Sequence, residues 1–162
     1  MGLIYTNELV GEILGAAERA YEYTLEGYSG IQKFTRQDIA RSPTCRVVSV
    51  ALGLELSEKG IPVKPDSRQG VRIDEHRYLT LQTNLGELVI DPTWKQFTPI
   101  GPIHPNFSDV AIATREEMIY MAERAGISEV DRRFWAPKGM FEEPDNRPVY
   151  EKIAAAIDAG IV

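Results

Sequence analysis

Apolar residues near the start of the chain recur at the spacing of a helix. They fall on one face between Thr6 and about Glu26, and Thr6 is suited to cap the N-terminus of that helix. The glycines from Gly27 to Gly30 would then end it. We therefore predict an amphipathic first helix. Its apolar face consists of Leu9, Val10, Ile13, Leu14, Ala17, Ala20 and Tyr21.

A second helix is predicted close to the only cysteine. Ser42 is a good N-cap and Pro43 a good first helical residue, which would make Cys45 the third residue of the helix. Gly60 and Pro62 would end it, since glycine suits the left-handed position after a helix and proline cannot continue one. Apolar residues cover most of its circumference, so we expect a buried, central helix. They are Val47, Val48, Val50, Ala51, Leu52, Leu54 and Leu56.

The middle of the chain predicts two strands. After a loop that extends to about Gly70, apolar and polar residues alternate from Val71 to Thr83, as in a half-buried strand. The segment Glu87 to Asp91 has the composition of a partner strand, and Asn84-Leu85-Gly86 between them is typical of a hairpin tip. The two strands should therefore pair as an antiparallel hairpin.

The hairpin turn determines which side chains share a face. If the chain turns through Asn84 and Leu85, His76 and Asp91 lie on one face as diagonal neighbours, about 7–8 Å apart at the backbone. That separation is within side-chain reach. The other face of the hairpin would carry Leu79, Leu81, Leu88 and Ile90.

The C-terminal half combines a proline-rich segment with two further helices. Pro92 to Ser108 holds four prolines and predicts a long loop over the surface. Thr114 and Glu117 form a capping-box pattern that opens a helix, Gly126 would end it, and a last helix is predicted from about Pro148. An aromatic cluster between these helices is predicted to cover the core: Phe134, Trp135, Met140 and Phe141.

Length and charge narrow the class of protein. The 162 residues fit one domain spanning the whole chain, and the order of predicted elements indicates an α+β fold. A net charge of -6 argues against nucleic acid as a partner, because nucleic-acid surfaces usually carry clustered Lys and Arg. No apolar run approaches the roughly 18 residues needed to span a bilayer, so we expect no membrane association.

The single cysteine suggests both a compartment and a chemistry. Cys45 cannot form an internal disulfide or a multi-cysteine zinc site, which favours a reducing, cytoplasmic location. Zinc held by Cys45, His76 and His104 would lack any known ligand spacing, and we expect neither metal nor cofactor. Near the start of a helix the dipole favours a thiolate, the nucleophilic form of cysteine.

Cys45, His76 and Asp91 together predict a catalytic triad. In this interpretation His76 accepts the thiol proton and later protonates the leaving amine, while Asp91 fixes the imidazole tautomer. Each residue also has an ordinary interpretation: a small buried hydrophobe, a solvated strand histidine and a turn residue before proline. The order helix-start cysteine, strand histidine, next-strand aspartate favours the triad.

These motifs resemble the transglutaminase-like branch of the papain-like cysteine enzymes. Cys45 followed by an apolar helix that closes in Gly60-Ile61-Pro62-Val63 is similar to the nucleophile helix of that family. Ile90-Asp91-Pro92-Thr93-Trp94 resembles its aspartate motif, and His76 lies on the intervening strand, where the family carries its base. The resemblance extends from about Ser42 to Trp94.

The resemblance implies a fold and a reaction. The fold would be a papain-like core, with a central nucleophile helix packed on a small antiparallel sheet and flanking helices. The reaction would be attack of Cys45 on a carboxamide or peptide carbonyl, followed by resolution of the thioester by water or an amine. The backbone N–H of Cys45 would help to hold the oxyanion, with Gln32 or Gln37 as side-chain donors, and Trp94 would shield the bond between His76 and Asp91.

Three functions remain open at this point. The first is a thiol amidohydrolase or acyl transferase acting on a protein or peptide, as a deamidase, protease or transglutaminase. The second is an arylamine-type N-acyltransferase, which has the same triad order but would need a longer chain and a coenzyme A site. The third is a papain-like binding module without catalysis.

Overall fold

The computed structural model describes residues 2–28, 35, 44–69, 75–99, 107–136 and 159–160. Within these ranges, four strands form one antiparallel sheet in the order β1-β2-β3-β4. The predicted combination of helices with a small antiparallel sheet is thereby confirmed. In chain order the elements are α1 (Asn7–Tyr28), α2 (Cys45–Glu58), β1 (Lys64–Gln69), β2 (Glu75–Thr83), β3 (Gly86–Asp91), a 3₁₀ turn (Trp94–Phe97), β4 (Ala111–Thr114), α3 (Arg115–Arg124) and α4 (Glu129–Arg132).

Both N-terminal helices form where the sequence predicts them. Thr6 caps α1, because its Oγ1 accepts a hydrogen bond of 3.1 Å from the N–H of Leu9. At the end of α2, Gly60 takes a positive φ of 75° and Ile61 donates its N–H to the carbonyl of Leu56 at 2.9 Å. This is a Schellman ending, which satisfies the last carbonyls of the helix. None of the helices in the described ranges combines the length and apolarity that a membrane crossing requires.

The hairpin of β2 and β3 has the predicted register. Thr83 pairs with Gly86 and Leu79 pairs with Ile90. Gly86 adopts a φ of 102°, a conformation that favours glycine, at the point where the turn enters β3. The predicted distribution of side chains over the two faces of the hairpin follows from this register.

The sheet is packed on both faces. On the first face Leu79, Leu81 and Ile90 pack against α1 and α2 in one apolar core. On the second face Tyr78 and Val89 belong to another cluster, which includes residues of α3 and the segment after α4. The largest fully buried side chains of this second cluster are Tyr78, Trp94, Met118 and Trp135.

Two strands of the sheet are not predicted by the sequence pattern. The segment up to Gly70 was expected to be a loop, but Lys64–Gln69 forms β1 at the edge of the sheet. It lacks apolar alternation, and Pro65 is tolerated because an edge strand pairs on one side only. The fourth strand, Ala111–Thr114, is too short to show a period of its own.

The prediction of a fully buried second helix is wrong for one of its faces. Val50 is 54% exposed, Leu54 63% and Val47 40%, whereas Val48, Leu52 and Leu56 are buried. The helix therefore covers the sheet with one side and presents an apolar stripe with the other.

The proline-rich segment is less loop-like than predicted. Its first part folds into the 3₁₀ turn, in which Trp94 and Lys95 are buried, and Lys95 pairs with Asp109 at 2.7 Å. The α3 helix follows as predicted, with the reciprocal capping box of Thr114 and Glu117. The predicted last helix from about Pro148 lies outside the described residues.

Candidate active site

Cys45 lies at the start of α2, but not at the position expected. Thr44 is the N-cap and Cys45 the first helical residue, so the prediction that Cys45 is the third residue is wrong. The Thr44 side chain makes no capping hydrogen bond; the carbonyl of Thr44 accepts the first helical bond from Val48 at 3.1 Å. The thiol remains at the positive end of the helix dipole and is 7% exposed.

His76 and Asp91 are brought together on the second face of the sheet. Nε2 of His76 lies 2.5 Å from Oδ2 of Asp91, and the two side chains are 1% and 0% exposed. Both residues stand on neighbouring strands, as the hairpin register requires. Removing this carboxylate from water costs free energy, which its hydrogen-bond partners must offset.

The thiol is hydrogen bonded to this pair. The side chain of Cys45 bonds to the imidazole of His76, and the backbone N–H of Arg77 also bonds to the sulfur. Because Nε2 of the ring is taken by Asp91, Nδ1 is the nitrogen that faces the thiol. The three predicted residues therefore form one continuous hydrogen-bonded chain.

This arrangement shifts the pKa of both reactive groups. Burial alone would raise the pKa of Cys45, but the hydrogen bonds from His76 and from the N–H of Arg77 lower it below its usual value. Burial alone would lower the pKa of His76, yet the charge of Asp91 and its hydrogen bond raise it to about 9, with a further contribution from Cys45. Both shifts favour a thiolate beside an imidazolium.

The Asp91 carboxylate has two further donors. The backbone N–H of Thr93 binds Oδ1 at 2.9 Å, and the indole Nε1 of Trp135 binds Oδ2 at 2.7 Å. The contact of Trp135 with the triad is not among the predictions from the sequence, which assign this residue only to the covering of the core. Trp94, which is predicted to shield the His76–Asp91 bond, is fully buried and donates its Nε1 to the carbonyl of Ser108 at 3.0 Å.

Aromatic rings enclose the imidazole of His76. Phe97 packs edge-on at 4.7 Å between ring centroids and Phe134 at 5.3 Å. Tyr78 and Trp135 lie at 5.6 and 5.8 Å. These rings come from three separate segments, and they keep water away from the His76–Asp91 bond.

Arg115 connects two of these aromatic residues to the strands of the sheet. Its guanidinium donates to the hydroxyl of Tyr78 at 3.0 Å and to the carbonyl of Trp135 at 3.2 Å. It also pairs with Asp66 at 2.9 Å and with Glu87 at 2.6 Å. A single side chain thus connects β1, β3 and the segment that carries Trp135.

Gln96 is a second residue that sequence reasoning missed. Its Nε2 lies 3.1 Å from Nδ1 of His76 and 3.2 Å from Oγ1 of Thr93. Its position in the sequence is the signal that could have revealed it. Gln96 is three residues after Thr93, and in a 3₁₀ turn residues three apart lie on the same side.

Several predicted residues fall outside the described ranges. These are the two possible oxyanion donors, Gln32 and Gln37, together with His104, Met140 and Phe141. The donors that the structure does place at this point of the fold are the N–H groups of the first turn of α2, which point out of the N-terminal end of the helix.

A groove of about 220 Å³ opens along α2 beside the site. Arg77, whose N–H bonds to the sulfur, forms part of its wall, and the Oγ of Ser49 donates to the Arg77 carbonyl at 3.2 Å. The groove is lined mainly by apolar side chains of α2, β1 and β2 and of the segment between α2 and β1: Val50, Leu54, Val63, Pro65 and Leu79.

No protein-family model, curated protein or solved structure matches this chain.

Proposed function

We propose that this protein is a thiol-dependent amide hydrolase or acyl transferase with the papain-like, transglutaminase-like arrangement of Cys45, His76 and Asp91. One observation carries the proposal: a buried thiol at a helix N-terminus is hydrogen bonded to an imidazole whose other nitrogen is bonded to a buried carboxylate. Lone structural cysteines have no need of such a chain, since they behave as small hydrophobes.

The reaction begins with the thiolate of Cys45. It attacks a carboxamide or peptide carbonyl, a C–S bond forms, and the oxygen takes up the negative charge beside the N–H groups at the start of α2. The C–N bond then breaks. The leaving amine takes its proton from the imidazolium of His76, which leaves a thioester and a neutral imidazole.

Resolution of the thioester reverses the roles. His76 accepts a proton from water or from an incoming amine, which attacks the thioester carbon and breaks the C–S bond. Water gives a carboxylic acid, and an amine gives a new amide. Asp91 accepts the hydrogen bond from Nε2 throughout and so keeps that nitrogen protonated, which leaves Nδ1 to accept and release the moving proton.

The groove along α2 supports a peptide or protein as the substrate. Arg77 lines this groove, and its backbone N–H bonds to the sulfur of Cys45. A substrate side chain next to the reacting carbonyl would therefore lie in the groove. A peptide presents both an apolar side chain and an amide carbonyl.

The test is mass spectrometry of peptides from a lysate incubated with the wild type or with the matched variant Cys45→Ser. Conversion of glutamine to glutamate indicates deamidation, glutamine–lysine links indicate cross-linking, and new termini indicate proteolysis. Addition of hydroxylamine should divert the thioester to a hydroxamate. If the wild type produces none of these products above the Cys45→Ser background, the proposed function is wrong.

A further inference from the structure

Gln96 contacts the ring nitrogen that faces the thiol. Its amide Nε2 lies 3.1 Å from Nδ1 of His76, while Asp91 holds the opposite nitrogen. Gln96 is half-buried in the 3₁₀ turn. The imidazole is therefore bound at both nitrogens by side chains of one short segment.

That segment is stiffened by its own hydrogen bonds. Nε2 of Gln96 also donates to Oγ1 of Thr93 at 3.2 Å, and the N–H of Thr93 donates to Oδ1 of Asp91 at 2.9 Å. The N–H of Gln96 binds the carbonyl of Thr93 at 3.1 Å, which closes the turn. The amide and the carboxylate are thus held on either side of the ring.

A carboxamide can bind an imidazole in either protonation state. Its NH₂ group donates to the lone pair of a neutral Nδ1, and its oxygen accepts from the N–H of an imidazolium. The two arrangements differ by a half-turn about the last side-chain bond, a broad torsion with a low barrier. Neither a carboxylate nor an ammonium has this property, because the first only accepts and the second only donates.

We propose that Gln96 is a positioning residue that keeps the ring of His76 aligned in both protonation states, offering its NH₂ to the neutral ring and its oxygen to the imidazolium. This role deepens the proposed function and rests on it. The need is greatest in the thioester, where the sulfur has neither a proton nor a charge and no longer binds Nδ1 strongly. Gln96 is then the neighbouring side chain that holds this edge of the ring while water approaches.

The proposal is tested by variants that can only accept or only donate. Gln96→Glu should raise the pKa of His76 and Gln96→Lys should lower it, each by about one unit or more. Both are measured by NMR titration of the imidazole without substrate. Gln82 is an exposed glutamine on β2, so Gln82→Glu and Gln82→Lys provide matched controls, which should shift the pKa much less.

Equal shifts in the Gln96 and Gln82 variants, or shifts of the same sign for Glu and Lys at position 96, would overturn the role. If either charged variant fails to fold, the other decides by its own sign. Gln96→Met gives an independent spectroscopic measure. It removes both donor and acceptor, so the ring should exchange between orientations and its signal should broaden; a signal as narrow as that of the wild type contradicts the proposal.

Alkylation of Cys45 by iodoacetamide as a function of pH, measured beside the NMR titration, separates this inference from the proposed function. If Cys45 of the wild type is alkylated as an ordinary thiol, the proposed function fails, while the opposite shifts at position 96 still decide the contact with His76. If Cys45 is a thiolate and the opposite shifts are absent, the role of Gln96 alone is wrong.

Discussion

Both faces of the sheet are covered by packed side chains, but the two cores differ in kind. On the first face, Leu79, Leu81 and Ile90 meet the helices α1 and α2 through hydrocarbon alone. On the second face, His76 and Asp91 lie among aromatic rings, and every contact of the carboxylate described above is a hydrogen bond with defined direction. The packing of the first core therefore depends on the shape and volume of its side chains, whereas the second core also depends on specific hydrogen bonds.

The difference lies in what each face can tolerate. An apolar core accepts exchanges of similar volume at small cost in stability, because dispersion and burial have no direction. A buried ion pair does not, because removal of one partner leaves a charge without compensation. The second face is therefore more sensitive to substitution, and it is the face that holds the imidazole of His76 next to the thiol of Cys45.

Asp91→Ala should have the largest effect. It leaves His76 and the indole N–H of Trp135 without their acceptor, and we expect a loss of about 3–5 kcal/mol in the free energy of unfolding. The pKa of His76 should fall, because the charge and hydrogen bond of Asp91 are what raise it against burial. Urea denaturation and an imidazole titration measure the two effects.

Asp91→Asn is the matched control for charge. It retains a carbonyl oxygen for Nε2 of His76 but loses the negative charge, so both effects should be smaller than in Asp91→Ala. If Asp91→Ala were no less stable than Asp91→Asn, the carboxylate would not be the centre of the second face.

Ile13→Ala should reduce stability without changing the chemistry. Ile13 is fully buried in the first core, and we expect a loss of about 2–5 kcal/mol from lost contacts and a residual cavity. The pH dependence of Cys45 alkylation, measured under conditions in which the variant is folded, should stay that of the wild type. A shifted profile would mean that the two faces are not separable.

Stability should depend on pH less in the wild type than in Cys45→Ser. The pKa of His76 is raised from its ordinary value of 6.5 to about 9 in the folded protein. This shift stabilises the fold fully at pH values below 6.5, and the contribution is lost as the pH rises towards 9. The lowered pKa of Cys45 acts in the opposite sense, because the folded protein releases a proton that the unfolded thiol still holds.

Serine does not ionise, so the variant should show the His76 term alone. Between pH 6.5 and 9 the unfolding free energy of Cys45→Ser should fall, by up to about 3 kcal/mol, and that of the wild type should fall less. Urea denaturation across this range measures the slopes. Parallel slopes would show that Cys45 and His76 do not ionise as a pair.

The two buried tryptophans provide the finest comparison. Trp135→Phe removes a donor to a carboxylate and should cost about 1.5–3 kcal/mol, whereas Trp94→Phe removes a donor to the carbonyl of Ser108 and should cost about 0.5–1.5 kcal/mol. Chemical denaturation of both variants gives the difference. Equal losses would indicate that Trp135 only fills space.

The sequence could predict what depends on local signals. The cap at Thr6, the Gly60 ending and the capping box at Thr114 each occupy a few neighbouring residues, and the helices follow them. The proximity of His76 and Asp91 follows from one two-residue turn, because register is propagated along a hairpin.

What the sequence could not predict depends on contacts between distant segments. Trp135 reaches Asp91 across 44 positions, and Arg115 meets Tyr78 across 37. Neither contact produces a periodic pattern in the sequence from which it could be predicted. The exposed side of α2 was also unpredictable, because the apolar pattern does not say how many neighbours are available to cover it.

The most direct test measures the rate at which iodoacetamide alkylates Cys45 as a function of pH, in the folded wild type, in His76→Gln and in the chain unfolded by urea. The unfolded chain should titrate near the ordinary thiol value of about 8.5. The folded wild type should have its midpoint below that of the unfolded chain, and His76→Gln should move it back up, because burial then acts without the imidazole. A wild-type midpoint at or above that of the unfolded chain, or one unchanged in His76→Gln, would contradict a thiolate prepared by His76.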